Sequence, residues 1–233
     1  MTNFNSEIRH FKKTNLYTHP TLEKQLENGF RTFELDFHLK ADGIMNYHEQ
    51  LWDQQTHCYC LSECLQTMYR FSEENPKHSP ITIILEPKNR RIAEDSYPVF
   101  EEISLENILS MEQEILNVLG SEKLITPDSI RLENKSLGES IKTRGWPSVY
   151  DLQGLFMFIL WDQGHRGLSR EIYEPGTNHL TGRLLFTSQF LKDYSAFKNF
   201  ERIKYEVLKN LFFGRKFHSK NLRNDQIEAV GPK

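Results

Sequence analysis

Apolar and polar positions in this chain fall into strand-like, helix-like and continuously apolar stretches. Phe33-Glu34-Leu35-Asp36-Phe37-His38 alternates. Side chains on a strand change face with period two, so Phe33, Leu35 and Phe37 point one way and Glu34, Asp36 and His38 the other. A break at Ala41-Asp42-Gly43 follows, and Ile44 to Glu49 reads as a second extended piece that brings His48 within reach of the same space. Helical spacing occurs at Leu22, Leu26 and Phe30, with entry at Thr18-His19-Pro20 and a stop at Gly29. It recurs at Leu61, Cys64, Leu65, Met68 and Phe71, ended by Asn75-Pro76. Further helices are predicted over 104–119, 135–143 and 196–211. Continuous apolar runs at Ile81–Leu85, Phe156–Trp161 and Arg183–Thr187 read as buried parallel strands. Leu124 to Pro127 is a short extended piece, and Arg215 to His218 reads as one more strand. Residues 91–103 read as a loop and 163–181 as irregular.

Strands alternating with helices over modest loops predict a parallel α/β architecture. Polar residues sit at successive strand ends: Glu86 and Lys88 after one apolar run, Asp162 after another. That placement favours a barrel with its site at the C-terminal face of the strands. A length of 233 residues suits one such domain, taken as 1–233, and 38% hydrophobic residues suffice for its core. A formal net charge of -3 gives no electrostatic case for nucleic acid as partner. No apolar run approaches a membrane span, and no charged-then-apolar leader opens the chain.

The chemistry is concentrated on the polar face of the first strand. Side-by-side carboxylates are costly to bury without a shared proton or cation, and a hard divalent cation suits oxygen ligands. A solvent-facing strand would show the same alternation, so both readings stand at this level. Glu86 and Lys88 share a parity, which fits a common pocket and equally a salt-bridged strand end. Cys58, Cys60 and Cys64 leave three readings open: a zinc site with His57, a Cys58–Cys64 disulfide with Cys60 left over, or buried free thiols.

Taken in order, Tyr17-Thr18-His19-Pro20, Gln25 to Arg31, Phe33 to His38, Cys58 with Cys64-Leu65, Leu85-Glu86-Pro87-Lys88, Leu124 to Asp128, Gly145-Trp146-Pro147 and Gly182 to Thr187 follow one family's pattern. The chain resembles the calcium-dependent phosphoinositide-specific phospholipase C family, phosphodiesterases with a TIM-barrel fold. The resemblance implies Ca²⁺ held by Glu34, Asp36 and Glu86. It implies that His48 stabilises the pentacoordinate phosphorus and protonates the leaving diacylglycerol oxygen, and that Lys88 holds a phosphate oxygen. His38 is expected as a contact to substrate or to the ligands, or as a rim residue. The partner implied is a phosphoinositide lipid at a membrane surface. The family is commonly exported.

The departures lie at the ends. The family opens with a strand ending in His-Asn-Ser-Tyr, where the histidine is the general base and the asparagine a calcium ligand. The nearest match here is Phe4-Asn5-Ser6-Glu7, so Asn5 is the candidate fourth ligand and Phe4 stands where the base belongs. His10 is a weaker candidate base. The family also ends in a last strand that has no counterpart here. The expectation is a barrel incomplete at its first and last strands, with a partner or a second copy at the open seam. Two functions follow: a phosphodiesterase releasing diacylglycerol and an inositol phosphate, or an impaired member that still binds calcium or a phosphorylated headgroup. A glycerophosphodiester phosphodiesterase shares the Glu-x-Asp strand and a later His, but not the Tyr-Thr-His-Pro, Gly-Trp-Pro and Gly-Arg-Leu-Leu-Phe-Thr segments.

Overall fold

A computed structural model of the chain describes residues 19–40, 43–47, 55–88, 103–161, 168–174 and 180–194. These all belong to the first of two compact units, 1–196 and 197–233. The predicted helix over 196–211, the strand at 215–218 and nearly all of the loop over 91–103 lie outside the described residues.

Helix α1 (Leu22–Glu27) starts at Thr21, whose side chain accepts from the Lys24 amide. It ends at the predicted stop, with Asn28 as the cap and Gly29 directly after it. Gly29 has φ +90°, and the amides of Gly29 and Phe30 donate back to Leu26 O and Gln25 O. This is the Schellman closure that a glycine permits. Phe30 is therefore outside the helix and 45% exposed.

Strand β1 (Thr32–Lys40) follows, then β2 (Gly43–Asn46), α2 (Leu61–Glu74), β3 (Ile81–Pro87), α3 (Leu105–Leu119), β4 (Leu124–Ile125), α4 (Leu137–Arg144) and β5 (Phe156–Leu160). The last described elements are α5 (Leu168–Tyr173), β6 (Phe186–Thr187) and α6 (Ser188–Tyr194). The strands form one sheet in the order β2-β1-β3-β5-β4, and β6 lies beside the end of β5. β1, β3, β4, β5 and β6 pair in parallel, as the apolar runs predict. β2, the second extended piece, runs antiparallel to β1, with Phe37 opposite Asn46 and Lys40 opposite Gly43. Two residues between the strands are too few for the crossover that a parallel pair would need. Among the described residues the sheet does not close, and no strand pairs with Thr32–Leu35 on the edge away from β3.

The core includes the odd-numbered residues of β3, Ile81, Ile83 and Leu85, and the apolar faces of α2 and α3, which pack against each other. Leu61, Cys64, Leu65 and Met68 of α2, and Met111 and Ile115 of α3, are fully buried. Cys58 and Cys64 form a disulfide, which decides among the three cysteine readings. With two of the three sulfurs bonded to each other, the zinc reading fails. Cys60 remains a half-buried free thiol 3.4 Å from Ser62 Oγ.

Two corrections share one cause. The stretch 163–181 contains helix α5, and the strand predicted over Arg183–Thr187 shrinks to Phe186–Thr187. Glu112, on the buried face of α3, accepts from the Leu184 amide at 2.7 Å and from the Tyr173 hydroxyl. The Tyr173 hydroxyl in turn accepts from the Leu185 amide at 2.9 Å. The two amides that would have entered a ladder are spent on side chains of α3 and α5. Burial, and then the Glu112 carboxylate, push the Tyr173 phenol well above its ordinary range.

Tyr173→Phe leaves the Leu185 amide and one lone pair of a buried carboxylate without a partner. It is expected to destabilise the protein by about 2–3 kcal/mol, read from the urea midpoint.

His38 and His78 are buried. Burial pushes the His38 imidazole down to about 4; the Lys88 and Lys40 charges act in the same direction against the Tyr47 carbonyl. Burial likewise lowers His78, whose Nε2 meets Ser72 Oγ at 2.9 Å. The unfolded chain binds a proton at each imidazole near pH 6.5, while the folded chain resists until lower pH. Stability is therefore complete above about 6.5 and falls as pH drops toward about 4, by up to about 3 kcal/mol from His38. An NMR titration of the imidazoles should show His38 still neutral at pH 5.5 in the folded protein. A His38 that titrates near 6.5 contradicts this.

Candidate metal and phosphate site

The parallel register of β1 and β3 sets Asp36 opposite Glu86 and Glu34 opposite Ile84. Glu34 and Asp36 share a face of β1, so three carboxylates converge toward the C-terminal end of the β1–β3 ladder. One ligand atom from each of Glu34, Asp36 and Glu86 lies within 4.8 Å of the others. All three are half-buried. The solvent-facing alternative for this strand face is not what the fold builds.

That spacing fits a hard divalent cation. Oxygens on opposite sides of a calcium ion stand about 5 Å apart, twice a bond of about 2.3–2.6 Å. An all-carboxylate donor set also matches calcium's preference for oxygen. The cluster already draws a cation from the chain. Lys88 Nζ lies 3.1 Å from Asp36 Oδ1 and 3.0 Å from Glu86 Oε1. The Lys88 amide donates to Phe37 O at 2.8 Å, which ties the residue into the β1–β3 ladder just past the strand end. Burial by itself would lower the ammonium's pKa; the carboxylates of Asp36 and Glu86 outweigh it and hold the pKa above the ordinary value. Both sequence readings of the Glu86–Lys88 pair therefore hold, since the pair is ion-bonded and faces the carboxylate pocket.

His38 is placed differently from a rim residue. It is 1% exposed and its ring stacks on Tyr47, with centroids 4.0 Å apart. Its Nε2 lies 3.0 Å from Tyr47 O, and the Tyr47 amide donates to Asp36 O at 3.1 Å. His38 thus ties the end of β2 to the strand that carries the acids. Sequence pattern gave no role to Tyr47, Asn46 or Trp161. Tyr47 holds His38, and the Asn46 amide donates to Tyr59 O at 2.8 Å, joining β2 to the disulfide loop. Trp161 is buried just past β5, and its amide donates to Leu85 O beside Glu86. Tyr47 and Asn46 sit in a polar stretch with no periodicity to mark them. Asn5, His48, Phe4, His10 and Asp162 lie outside the described residues.

Two grooves lie elsewhere. One, of about 520 Å³, includes Arg144, Trp146 and Asp151; another, of about 640 Å³, includes His57, Glu63 and Arg70. Neither contains a converging set of metal ligands, so charge and donor geometry rather than volume mark the site.

Comparison with known proteins bears on what this site is. A family model for calcium-dependent phosphoinositide phospholipase C matches residues 38–202. The match takes in Glu86 and Lys88, and the β1–β3 register brings Glu34 and Asp36, just before it, to the same place. Among solved structures, the chain is similar to a calcium-dependent phosphoinositol-specific phospholipase C from a Gram-negative bacterium, Pseudomonas sp, in its apo form with myoinositol. The TM-score is 0.52 at 24% identity, over 76% of this chain and 60% of that one. A second crystal form gives 0.53 at 23%, over 76% and 62%. A calcium-dependent phosphatidylinositol-specific phospholipase C from Streptomyces antibioticus gives 0.51 at 19%, over 74% and 55%. At these identities the likeness is one of fold, and it is the TIM-barrel-type fold that the strand pattern predicts. The chain spans less than two thirds of the length of each of these proteins. No curated protein matches by sequence. The family match covers well over half of the residues, and the chain belongs to the calcium-dependent phosphoinositide phospholipase C family.

Proposed function

We propose that this chain is a calcium-dependent phosphodiesterase that cleaves phosphatidylinositol or a phosphoinositide at a membrane surface, releasing diacylglycerol and an inositol phosphate. One observation carries the reading: Glu34, Asp36 and Glu86 converge with Lys88 toward the C-terminal end of the ladder between two adjacent parallel strands. Among the described residues no helix is long and apolar enough to cross a membrane.

Each residue has a role that its chemistry supports. The three carboxylates, with Asn5 as a fourth oxygen donor, would hold the calcium ion. When bound, that ion lowers the pKa of the attacking inositol hydroxyl and neutralises phosphoryl oxygens. Lys88 would hold a phosphate oxygen with its ammonium. His48 would deliver a proton to the leaving oxygen, a task suited to an imidazole. His38 is too deeply buried to meet a lipid headgroup, so its part is to hold β2 against Asp36 through Tyr47. The same reading takes 1–233 as a single barrel domain, with a partner or a second copy along the edge of β1 that no strand pairs among the described residues.

A second reading rests on Phe4, which stands where the family's base histidine belongs. The chain would then bind calcium or a phosphorylated headgroup with little turnover.

Phosphatidylinositol cleavage by the purified chain tests the first reading. Activity is expected to need calcium and to vanish with chelator, and His48→Ala should lower the rate by about 10²- to 10⁴-fold. A folded chain inactive in calcium would sink the enzyme reading. Phe4→His then separates the two readings. A rise of about 10²- to 10⁴-fold means that only the base is missing. An unchanged rate leaves the binder.

A further inference from the structure

Lys88 is not simply near the acidic cluster; it uses the cluster's oxygens. Its ammonium lies 3.1 Å from Asp36 Oδ1 and 3.0 Å from Glu86 Oε1, two of the three residues whose ligand atoms converge within 4.8 Å. Its backbone is pinned by the 2.8 Å bond to Phe37 O, so only the four-carbon stem is free to swing. At 21% side-chain exposure, that stem has a route toward solvent.

A calcium ion sits about 2.3–2.6 Å from each of its oxygen ligands and takes six to eight of them. Held by these oxygens, it would lie no more than about 5.7 Å from the present position of Nζ. Two cations that close, in a half-buried site, repel strongly. The strongly hydrated point charge on a flexible stem is the one that can leave.

We propose that Lys88 and calcium exchange at Asp36 and Glu86: the ammonium occupies these carboxylates until calcium takes them, and only then is it released to receive the phosphate of the substrate. The inference rests on the calcium-site reading above and adds an order to it. Calcium must load before the anionic headgroup is held, because one side chain serves as counter-ion first and phosphate contact second. The coupling is reciprocal: a bound phosphate that retains Lys88 also tightens calcium.

The test uses the full chain with calcium alone, then with inorganic phosphate. Calorimetry gives the calcium Kd. Competitive amine labelling, read by mass spectrometry, reports whether the Lys88 ammonium is protected. Calcium binding accompanied by a several-fold rise in Lys88 labelling, reversed when phosphate is added, supports the exchange. Calcium binding with Lys88 still protected overturns it while leaving the calcium site standing. No calcium binding at millimolar concentration overturns both. Lys88→Met gives a second measure in protein shown to be folded: its calcium Kd is expected to fall by about tenfold or more, since the competitor is gone. An unchanged or higher Kd counts against the exchange.

Discussion

Carboxylates whose oxygens lie within 4.8 Å of one another repel, and the fold must answer that repulsion with positive charge. Here the answer is local. Lys88 follows Glu86 by two residues, shares its parity, and reaches across to Asp36. The arrangement exists only in the observed register. A slip of one residue between β1 and β3 would turn Asp36 away from Glu86 and set an apolar side chain in its place. The buried faces of β3 and its helices hold that register: Ile81, Ile83 and Leu85 have no other place to go. Core packing therefore positions the site, and the ammonium of Lys88, just past the end of β3, offsets part of its negative charge.

A second theme is the capture of backbone groups by buried polar side chains. Glu112 and Tyr173 take the amides of Leu184 and Leu185, so the chain reaches β6 late and α5 is locked to α3. His38 takes Tyr47 O, while the Tyr47 amide takes Asp36 O. The disulfide between Cys58 and Cys64 closes the loop that Asn46 contacts, with Asn46 Nδ2 3.4 Å from Cys64 Sγ. These links run from α2 through β2 to the acids on β1. Buried polar groups left unpaired cost more than paired ones return, so each such contact fixes one arrangement of its loop.

Much of this was legible in the chain itself. The alternation at Phe33–His38, the apolar runs that became β3 and β5, and the helical stripes of α2 and α3 report burial directly, because each element must hide one face. Parity alone put Glu34 with Asp36, and Glu86 with Lys88. Pairing of the two sets was a matter of tertiary structure, since no sequence period says which strands are neighbours or in what register. The same holds for the direction of β2, the burial of His38 and the shortening of β6. Each depends on a partner distant in sequence: Tyr47 for His38, Glu112 for Leu184. The cysteines show the boundary well. Their spacing allowed a metal site, a disulfide or free thiols, and only the placement of Cys58 beside the first turn of α2 chose the bond. Local periodicity determined the elements and the chemistry on their faces; long-range packing decided which faces meet, because contact energies between distant residues leave no local trace in the order of the amino acids.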